Sequence, residues 1–442
     1  MLRDERLGRQ IAVQMLGARL VGDMEPALFI HAQRLQLAQQ RGHVLAEKQA
    51  DVCIINTCTV TSSGDHKTLR VLHKLQKENP NAIVALCGCF AQTEPEQASA
   101  MDGVHIVCGT SDRAAVLDLC EQAVRDRKAV CTVTDNRQRQ AFERLPAGIL
   151  PGHTRALLKV QDGCDNYCTY CIIPYARGHV RSLPLAEAVK QAQQLAASGV
   201  REIVVTGIEI ASYGRDLPDK PTLIDLMEQL CEAAPDVRFR LGSLEPRLIT
   251  DEFCRRLRGF SNLARHFHLS LQSGCDATLR RMHRRYTTAQ FFAVVERLRA
   301  AFPACSITTD VITGFPGETE QEFAQTMDFL KTCAFASMHV FPYSERSGTP
   351  AASMPDSVPP QVRAQRATAA RALAAQMSQD FLRPFIGKTI CVVLEHGTSE
   401  AQPAHGDWHF SVVLPPDTGR QGDVCRVRLT GIAKNGMAAE KI

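Results

Sequence analysis

The sequence of 442 residues predicts an α/β protein with a small parallel N-terminal domain, a (β/α)6 partial barrel and a C-terminal antiparallel β-barrel. Two observations carry this prediction. Short apolar runs alternate with amphipathic helical segments in two successive series, a pattern typical of parallel sheets covered by helices. After the second series, runs of alternating hydrophobicity are separated by glycine-rich turns, which is typical of a small antiparallel barrel.

The first series predicts a domain over residues 1–135. Its opening forty or so residues are rich in Gln, Arg, Ala and Leu, a composition that favours helices. A further helix is expected over residues 62–79, and the polar stretch 132–152 predicts a linker. Apolar runs predict buried strands at 51–55, 82–86 and 104–107.

The second series predicts six strand–helix units within residues 150–380. The predicted strands are 156–160, 202–207, 239–243, 267–271, 307–312 and 337–341. The predicted helices are 185–198, 223–233, 251–258, 289–301, 320–333 and 357–380. In barrels of parallel strands, the active groups lie at the C-terminal ends of the strands. Residues 381–442 follow as the predicted small barrel, with alternating runs at 389–394 and 423–429.

Composition limits the class of protein. Hydrophobic residues make up 45% of the chain, enough for a sizeable core. The net charge of +4 permits nucleic-acid binding but does not by itself indicate it. The chain has 17 cysteines, no recognisable signal peptide and no apolar run of the roughly 20 residues that cross a bilayer. We therefore expect a reducing, cytoplasmic location in which thiols bind metal, react or pack.

Three cysteines lie close together directly after the first predicted barrel strand. Cys164, Cys168 and Cys171 have spacings that bring three thiolates onto one short loop. Three thiolates can hold three irons of a [4Fe–4S] cluster and leave the fourth iron open to a small molecule. The alternative is a structural zinc site completed by a residue such as His179. Zinc modules usually pair their cysteines twice, however, and no second pair follows nearby.

A series of motifs in this order resembles the radical S-adenosylmethionine (SAM) methylthiotransferases over about residues 42–442. The motifs are Ile-Asn-Thr-Cys-Thr-Val-Thr at 55–61, Cys-Gly-Cys-Phe-Ala-Gln at 87–92, the cysteine loop with Pro-Tyr-Ala-Arg-Gly at 174–178, His-Leu-Ser-Leu-Gln-Ser-Gly at 268–274, Asp-Val-Ile-Thr-Gly-Phe-Pro-Gly-Glu-Thr at 310–319 and Val-Phe-Pro-Tyr-Ser-Glu-Arg-Ser-Gly-Thr-Pro at 340–350. The chain looks most similar to the branch that modifies N6-threonylcarbamoyladenosine at position 37 of tRNA.

The resemblance implies a methylthiotransferase domain at 1–135, with residues 1–41 atypical, a radical-SAM core at 150–380 and a TRAM-like RNA-binding domain at 381–442. It implies two [4Fe–4S] clusters and SAM as cofactors. The first cluster, on the three loop cysteines, would chelate SAM and cleave it to a 5′-deoxyadenosyl radical that abstracts hydrogen from C2 of adenine. A second SAM would supply the methyl group, and sulfur would come by way of the second cluster. No side chain is expected to act as a general acid or base.

The chain departs from the family at the second, auxiliary cluster. The family binds this cluster with three cysteines, the first in a Leu-Gly-Cys-Lys/Arg motif. Cys58 and Cys89 match the second and third, but the nearest relic of the first motif, at 16–19, has Ala18 in place of the thiolate. Cys53 or Cys87 could substitute, although Cys53 is expected to point into the core. This gives the hypothesis that SAM cleavage survives while sulfur insertion is impaired.

Several residues at strand ends are candidates for SAM binding. The set comprises Thr206 and Gly207 for the amino group, Ser243 and Glu245 for the ribose or carboxylate, Gln272 for a cofactor-side role, and Gly314 and Phe315 for adenosine. Plain turns, solvated loops or packing are the structural alternatives. Asp310 is either a structural carboxylate or a site residue. Arg177 and Arg181 follow the cysteine loop and could pair with a carboxylate or phosphate, or form surface ion pairs.

The densest basic run contains Arg280, Arg281, Arg284 and Arg285, and it predicts phosphate contacts with RNA. Trp408 could stack on a base, or it could be part of the barrel core. The expected partners are the anticodon loop of tRNA at adenosine 37 and an electron donor such as flavodoxin or ferredoxin. Neither a membrane nor DNA is expected as a partner. The alternatives are methylthiolation of isopentenyladenosine 37, the related branch acting on a ribosomal-protein aspartate, and a zinc-stabilised RNA-binding protein without catalysis.

Overall fold

The computed structural model describes residues 12–17, 38, 43–45, 49–57, 62–111, 113–138, 140–145, 148–149, 154–434 and 436–442. Contacts divide the chain into two compact units. The first comprises residues 1–150, 162–166 and 171–181, and the second comprises residues 151–161, 167–170 and 182–442. The cysteine loop contributes residues to both units, and each part is described within its own unit.

The first unit is built on a parallel sheet with the strand order β2-β1-β3-β4-β5-β6. Its strands are Ala12–Gly17 (β1), Val44–Leu45 (β2), Val52–Thr57 (β3), Ile83–Gly88 (β4), Ile106–Cys108 (β5) and Val130–Thr132 (β6), and Gly148–Ile149 (β7) follows in the chain. The three strands predicted from apolar runs are confirmed as β3, β4 and β5. Strands β3 and β4 are buried on both faces, as is usual for a parallel sheet covered by helices.

The prediction of helix in the opening segment is wrong for residues 12–17. These residues form β1, which pairs in parallel with β3 from Val13↔Val52 to Gly17↔Asn56. A neighbouring strand satisfies the backbone groups of β1, so the tertiary context overrides the helical preference of its composition. The other residues of that predicted helical segment, apart from residue 38, lie outside the described residues.

Helices cover both faces of this sheet. They are Ser62–Glu78 (α1), Cys89–Thr93 (α2), Pro95–Ser99 (α3) and Ala115–Asp126 (α4). A further helix of this unit, Ile173–Arg177 (α5), packs against α2. Alternate residues of the central strands enter two separate apolar clusters. Ile54 and Ala85 pack with Leu117 on one face, while Cys53 and Val84 pack with other residues on the opposite face.

The second unit begins with six parallel strand positions that confirm the predicted partial barrel. The strands are Arg155–Lys159 (β8), Glu202–Thr206 (β11), Arg238–Leu241 (β12) with its continuation Ser243–Leu244 (β13), His266–Gln272 (β14), Ser306–Thr313 (β15) and Ser337–Pro342 (β16). The short strands Gln161–Asp162 (β9) and Arg181–Ser182 (β10) flank the cysteine loop in sequence. Strand β11 lies between β8 and β12, and β13 to β16 pair in order.

The helices of this unit follow the predicted alternation closely. They are Leu185–Ala197 (α6), Leu223–Ala233 (α7), Asp251–Leu257 (α8), Asp276–Arg281 (α9), Thr288–Ala301 (α10), Glu320–Cys333 (α11) and Pro360–Leu382 (α12). Three of them, α7, α10 and α11, begin with capping boxes at Thr222, Thr287 and Thr319. Among the described residues, no helix combines the length and apolar character needed to span a bilayer.

A closed five-stranded barrel ends the chain. Its strands are Thr389–Leu394 (β17), Gln402–His405 (β18), Ser411–Leu414 (β19), Val424–Ala433 (β20) and Gly436–Lys441 (β21). They close in the order β17-β18-β19-β21-β20. The predicted antiparallel character holds for every pair except β19 with β21, which is parallel. That pair closes the barrel, and closure leaves no unpaired sheet edge.

Candidate functional site

The cysteine loop begins in the first unit with a turn that only glycine fits. Gly163 has φ of +74°, and a Cβ there would lie 1.9 Å from the backbone oxygen of His179. The amide of Cys164 donates to the backbone oxygen of Gly178 at 3.0 Å, which holds the half-buried Cys164 in place. The Nδ1 atom of His179 lies 2.8 Å from a carboxylate oxygen of Asp165. One ring nitrogen of His179 is therefore engaged by a loop carboxylate, an arrangement that metal-binding histidines also show.

The middle of the loop, residues 167–170, is held within the second unit by the segment after β14. The amide of Thr169 donates to the backbone oxygen of Met282 at 3.2 Å, and its hydroxyl donates to that of Arg281 at 2.8 Å. The Tyr170 ring meets Phe315 edge-on, with ring centroids 6.5 Å apart. Residues 281–284 and the Gly-Phe-Pro-Gly turn thus fix the position of Cys168.

Arg284 donates directly to the sulfur of Cys168. Its Nη1 lies 3.4 Å from Sγ, while its Nη2 donates to the Ser270 carbonyl at 3.0 Å and its Nε to the Tyr286 hydroxyl at 3.1 Å. Burial alone would lower the pKa of this guanidinium, but Tyr170, Tyr286 and Cys168 raise it well above its ordinary value. A permanent positive charge therefore faces a sulfur that a metal cluster would need as thiolate.

These features fit an iron–sulfur cluster. Three cysteine sulfurs lie on one short loop, Cys168 is buried, and Cys164 and Cys171 are half-buried. None of the described cysteines forms a disulfide. A cationic hydrogen-bond donor to one sulfur and apolar packing beneath the loop are means by which proteins stabilise such clusters.

The basic run at 280–285 is divided between two environments. Arg281 forms a bidentate pair with Glu322 at 3.0 and 2.7 Å and also donates to the carbonyl of Pro316. Together with Arg284, it is committed to the scaffold of the cysteine loop. Arg280 and Arg285 are exposed. RNA contact therefore stays a prediction for these two exposed arginines, while the structure gives the other two a supporting role.

Strand β11 ends at Thr206, which is buried, and Gly207 follows with its backbone pressed against Gln161. The Oε1 atom of Gln161 accepts from the amides of Ile208 and Glu209 at 3.0 and 2.8 Å. The Oε1 atom of Glu209 is buried and has no hydrogen-bond partner among the described residues. Burial raises the pKa of Glu209 to about 7, although Arg215 opposes the shift. A buried carboxylate with an unpaired oxygen at a strand end is suited to bind a cationic group.

Gln272, at the end of β14, has φ of +70°, in the left-handed region that side chains other than glycine rarely adopt. The register of β14 against β15 shifts at this point, as at a β-bulge. The Ser243 hydroxyl lies 2.8 Å from that of Ser270. The carboxylate of Glu245, by contrast, is held by the amide and Nε of Arg247. Strain at Gln272 is consistent with the predicted site role.

The Gly-Phe-Pro-Gly turn supports the loop through its phenylalanine. Gly314 has φ of +71° and donates its amide to Glu318 at 2.8 Å. Phe315 is fully buried and packs edge-on against Tyr343 as well as Tyr170. The adenosine contact predicted for Gly314 and Phe315 remains a prediction, and the side chain of Phe315 already has a packing role.

Three buried arginines surround one buried carboxylate in the first unit. Arg113 pairs with Asp162, and Arg181 and Arg177 approach the same Oδ2 atom at 3.3 and 3.8 Å. The Nε atom of Arg177 donates to the sulfur of Cys89 at 3.2 Å. Arg177 and Arg181 are thus buried ion-pair residues, and the surface alternative for them is wrong. The surplus positive charge beside Cys89 suits an anionic sulfur ligand.

The auxiliary cysteines follow neighbouring strands of the first sheet. Strand β4 ends at Gly88 beside Thr57, and Cys89 begins the next helix. Strand β1 ends at Gly17 beside Asn56, so the residue after it in the chain is Ala18. The predicted ligand Cys58 and the replaced position Ala18 lie outside the described residues. The backbone register nevertheless shows that the Leu-Gly-Ala-Arg segment begins on the strand next to the one that precedes Cys58.

Neither proposed substitute is suited to replace the missing cysteine. Cys53 is fully buried in an apolar cluster, which raises the pKa of its thiol to about 11. The expectation that it points into the core is confirmed. The thiol of Cys87 is also fully buried and donates to the carbonyl of Ile55 at 3.3 Å.

Trp408 is half-buried against aromatic rings of the C-terminal barrel. Its ring meets Phe385 edge-on and stacks with Phe410 at a centroid distance of 6.2 Å. Its indole N–H donates to the Ala304 carbonyl at 2.7 Å. The structure therefore favours the packing alternative for this residue, and base stacking stays an untested prediction.

Comparison with known proteins agrees with this geometry. The Radical SAM superfamily matches residues 158–330, and the uncharacterized protein family UPF0004 matches residues 32–109. A threonylcarbamoyladenosine tRNA methylthiotransferase MtaB from Bacillus subtilis is 38% identical over 87% of this chain and 86% of its own length. The chain belongs to the radical-SAM methylthiotransferase family. A tRNA-2-methylthio-N(6)-dimethylallyladenosine synthase from Syntrophotalea carbinolica, 32% identical, covers 92% of this methylthiotransferase and 95% of its own length.

A solved structure supports the fold of this methylthiotransferase. The radical SAM methyltransferase TsrM from Kitasatospora setae, with cobalamin and a [4Fe–4S] cluster bound, has a TM-score of 0.55. It covers 78% of this chain and 74% of its own, at 14% sequence identity, so the likeness concerns the fold alone. Sequence reasoning had not predicted the contact of Arg284 with Cys168, the unpaired buried oxygen of Glu209 or the buried ion pair of Arg113. The only sequence signal for Glu209 was its position two residues after the predicted Thr206–Gly207 strand end.

Proposed function

We propose that this enzyme methylthiolates C2 of N6-threonylcarbamoyladenosine at position 37 of tRNA. The observation that carries the proposal is the cysteine loop with its cationic partner Arg284, in a family whose matched relatives carry that activity in their names. Relatives named for dimethylallyladenosine also match this chain. The motifs at 56–61 and 176–178 favour the threonylcarbamoyl branch.

In this proposal the chain's own residues bind the cluster and SAM and orient them. Cys164, Cys168 and Cys171 hold a [4Fe–4S] cluster, which together with SAM supplies radical hydrogen abstraction when both are bound. Arg284 keeps Cys168 oriented and its sulfur in the anionic form. The ionised Glu209 binds the ammonium of SAM at the end of β11.

The proposed substrate binding uses the two exposed arginines. Arg280 and Arg285 would contact tRNA phosphates, since they are the members of the basic run that remain accessible. The C-terminal barrel would add Arg426 and Arg428, on β20, as further positive charge. We expect the reducing electron to come from flavodoxin or ferredoxin and the reaction to take place in the cytoplasm, where tRNA is matured.

One observation favours a second candidate function, in which SAM is cleaved but sulfur insertion is impaired. The strand before Ala18 lies beside the strand before Cys58, and alanine stands where the family's Leu-Gly-Cys-Lys/Arg motif has its cysteine. Cys53 and Cys87 are buried elsewhere in the sheet. With only two cysteines, the auxiliary cluster would lack one of its protein ligands.

Nucleoside mass spectrometry of tRNA from cells with and without this gene tests the proposed activity. We expect the 2-methylthio derivative of N6-threonylcarbamoyladenosine to disappear on deletion and to return with the wild-type gene, but not with Cys168→Ala. A change confined to the 2-methylthio derivative of isopentenyladenosine would contradict the substrate assignment and support the other branch.

The Ala18→Cys variant tests the second candidate. If sulfur insertion is impaired, the wild-type chain should hold about four irons after anaerobic reconstitution and release 5′-deoxyadenosine without methylthiolated tRNA. Ala18→Cys should then raise the iron content to about eight and restore product. About eight irons and methylthiolated product from the wild-type chain would refute the impairment.

A further inference from the structure

A second group of metal-binding side chains lies on the inner face of the partial barrel. His268 on β14, Asp310 on β15 and His339 on β16 come from three adjacent parallel strands, with Asp310 directly opposite His339. Each is half-buried, while the residues beside them in sequence are buried. These side chains therefore face the open interior of the barrel.

This group is separate from the cysteine loop. His268 precedes the end of its strand by four residues, and Asp310 and His339 precede theirs by three. At about 3.3 Å per residue, the group lies roughly 10–13 Å below the strand ends. None of the three residues is needed for the roles assigned above to the loop cysteines.

We propose that His268, Asp310 and His339 bind one divalent transition-metal ion, with Zn²⁺ as the reference member of the class. Two imidazoles and one carboxylate form a donor set that suits zinc and its first-row neighbours. It differs from the all-oxygen sets that magnesium and calcium prefer. The site goes beyond the proposed tRNA modification and does not depend on which nucleoside is modified.

The distances fit such an ion. Nitrogen and oxygen ligands lie 2.0–2.2 Å from zinc, so two ligands at a tetrahedral angle are about 3.3 Å apart. The Nε2 atom of His268 and the Oδ2 atom of Asp310 are 3.3 Å apart. All three donor atoms lie within 4.8 Å of one another, so no pair needs to close by more than about 1.5 Å. Rotation of one side chain is enough for that.

A neighbouring hydroxyl orients the first ligand. The Nδ1 atom of His268 lies 2.9 Å from the hydroxyl of Thr308, which is buried and also contacts His266 Nε2 at 2.9 Å. With Nδ1 engaged there, Nε2 is the nitrogen that faces Asp310. Metal-binding histidines commonly have their second ring nitrogen held in this way, and this fixes both tautomer and ring direction.

Three protein ligands leave a further coordination position toward the barrel interior. Water or an oxygen group of a bound molecule would occupy it, since that side of the group is open. The competing explanation is a metal-free ion pair between His268 and Asp310, with His339 nearby. The two explanations predict different metal contents and different ligand shells, which can be measured directly.

The test uses the full-length chain with its iron–sulfur clusters reconstituted, so that the cluster cysteines are already occupied. Zn²⁺ is added, the excess is removed by gel filtration, and zinc and iron are counted. We expect about one retained zinc per chain, with a zinc K-edge absorption spectrum that contains nitrogen and oxygen scatterers only. His339→Ala and the near-isosteric Asp310→Asn should each weaken zinc binding by at least about tenfold without changing the iron content.

The exposed His396 supplies a matched control, because His396→Ala removes an imidazole far along the chain from the group. This variant should retain zinc as the wild type does. Equal zinc retention in wild type, His339→Ala and Asp310→Asn would overturn the proposal. Sulfur scatterers in the wild-type spectrum would overturn it as well, since they would show adventitious zinc on thiolates.

Discussion

Arg284→Gln is the substitution that best separates a role in the cluster loop from a role in RNA binding. Arg284 was predicted from sequence to contact phosphate, yet its guanidinium donates to the sulfur of Cys168 at 3.4 Å and to the Ser270 carbonyl at 3.0 Å. A hydrogen bond to a charged group contributes about 1.5–3 kcal/mol. About 1.4 kcal/mol corresponds to a tenfold change in an equilibrium constant, so loss of this hydrogen bond should weaken iron retention roughly 10- to 150-fold.

The assay is anaerobic release of iron to a chelator, measured beside tRNA binding at several salt concentrations. Arg284→Gln should release iron at least about tenfold faster while binding tRNA as the wild type does. Arg285→Gln, the matched control, changes an exposed neighbour of the same type. It should keep its iron and lower the salt dependence of tRNA binding by about one phosphate contact. Wild-type iron retention in Arg284→Gln would refute the reasoning.

Three further predictions concern a half-buried carboxylate, a glycine and the strand-end carboxylate. Burial alone would raise the pKa of Glu395, but His405 and the other partners of Glu395 bring this pKa to about 2. The ionised carboxylate therefore stabilises the C-terminal barrel above pH about 4.5. That stability should fade as the pH falls towards 2. Emission of the single tryptophan, in that barrel, should report this loss, and Glu395→Gln should flatten the dependence. Gly163→Ala should abolish iron binding by the cysteine loop, because a Cβ would collide with a backbone oxygen, whereas Gly199→Ala, also at positive φ but with open space, should cost only about 1–2 kcal/mol of folding stability. Finally, since the pKa of Glu209 is about 7, SAM affinity measured by equilibrium binding should rise about tenfold from pH 6 to 7.5 in the wild type and stay flat in Glu209→Gln.

The barrel could be predicted from the sequence because each strand is a short apolar run followed by an amphipathic helix. The loop cysteines could also be predicted, since all three lie close together in sequence, within residues 164–171. Strand β1 could not, because its composition favours helix and only the neighbouring β3 makes it a strand. Local sequence signals describe elements that are stabilised locally, and they miss those that depend on a distant neighbour.

The surroundings of the candidate site residues follow the same rule. Arg284 reaches a sulfur 116 residues away, and nothing in a run of arginines distinguishes the half-buried Arg284 from its exposed neighbour Arg285. Phe315 belongs to a motif at a strand end, yet it is fully buried beneath the cysteine loop. The sequence shows the chemical type of each residue, but only the folded structure shows which residue it contacts.

Reductive cleavage of SAM by variants of the cysteine loop tests the central claim most directly. The wild-type chain, reconstituted anaerobically and reduced, should form 5′-deoxyadenosine, and replacing Cys164, Cys168 or Cys171 by alanine should abolish it together with about four irons per chain. Cys391→Ala, an exposed cysteine in the C-terminal barrel, should behave as the wild type does. Undiminished 5′-deoxyadenosine from any of the three loop variants would contradict the account.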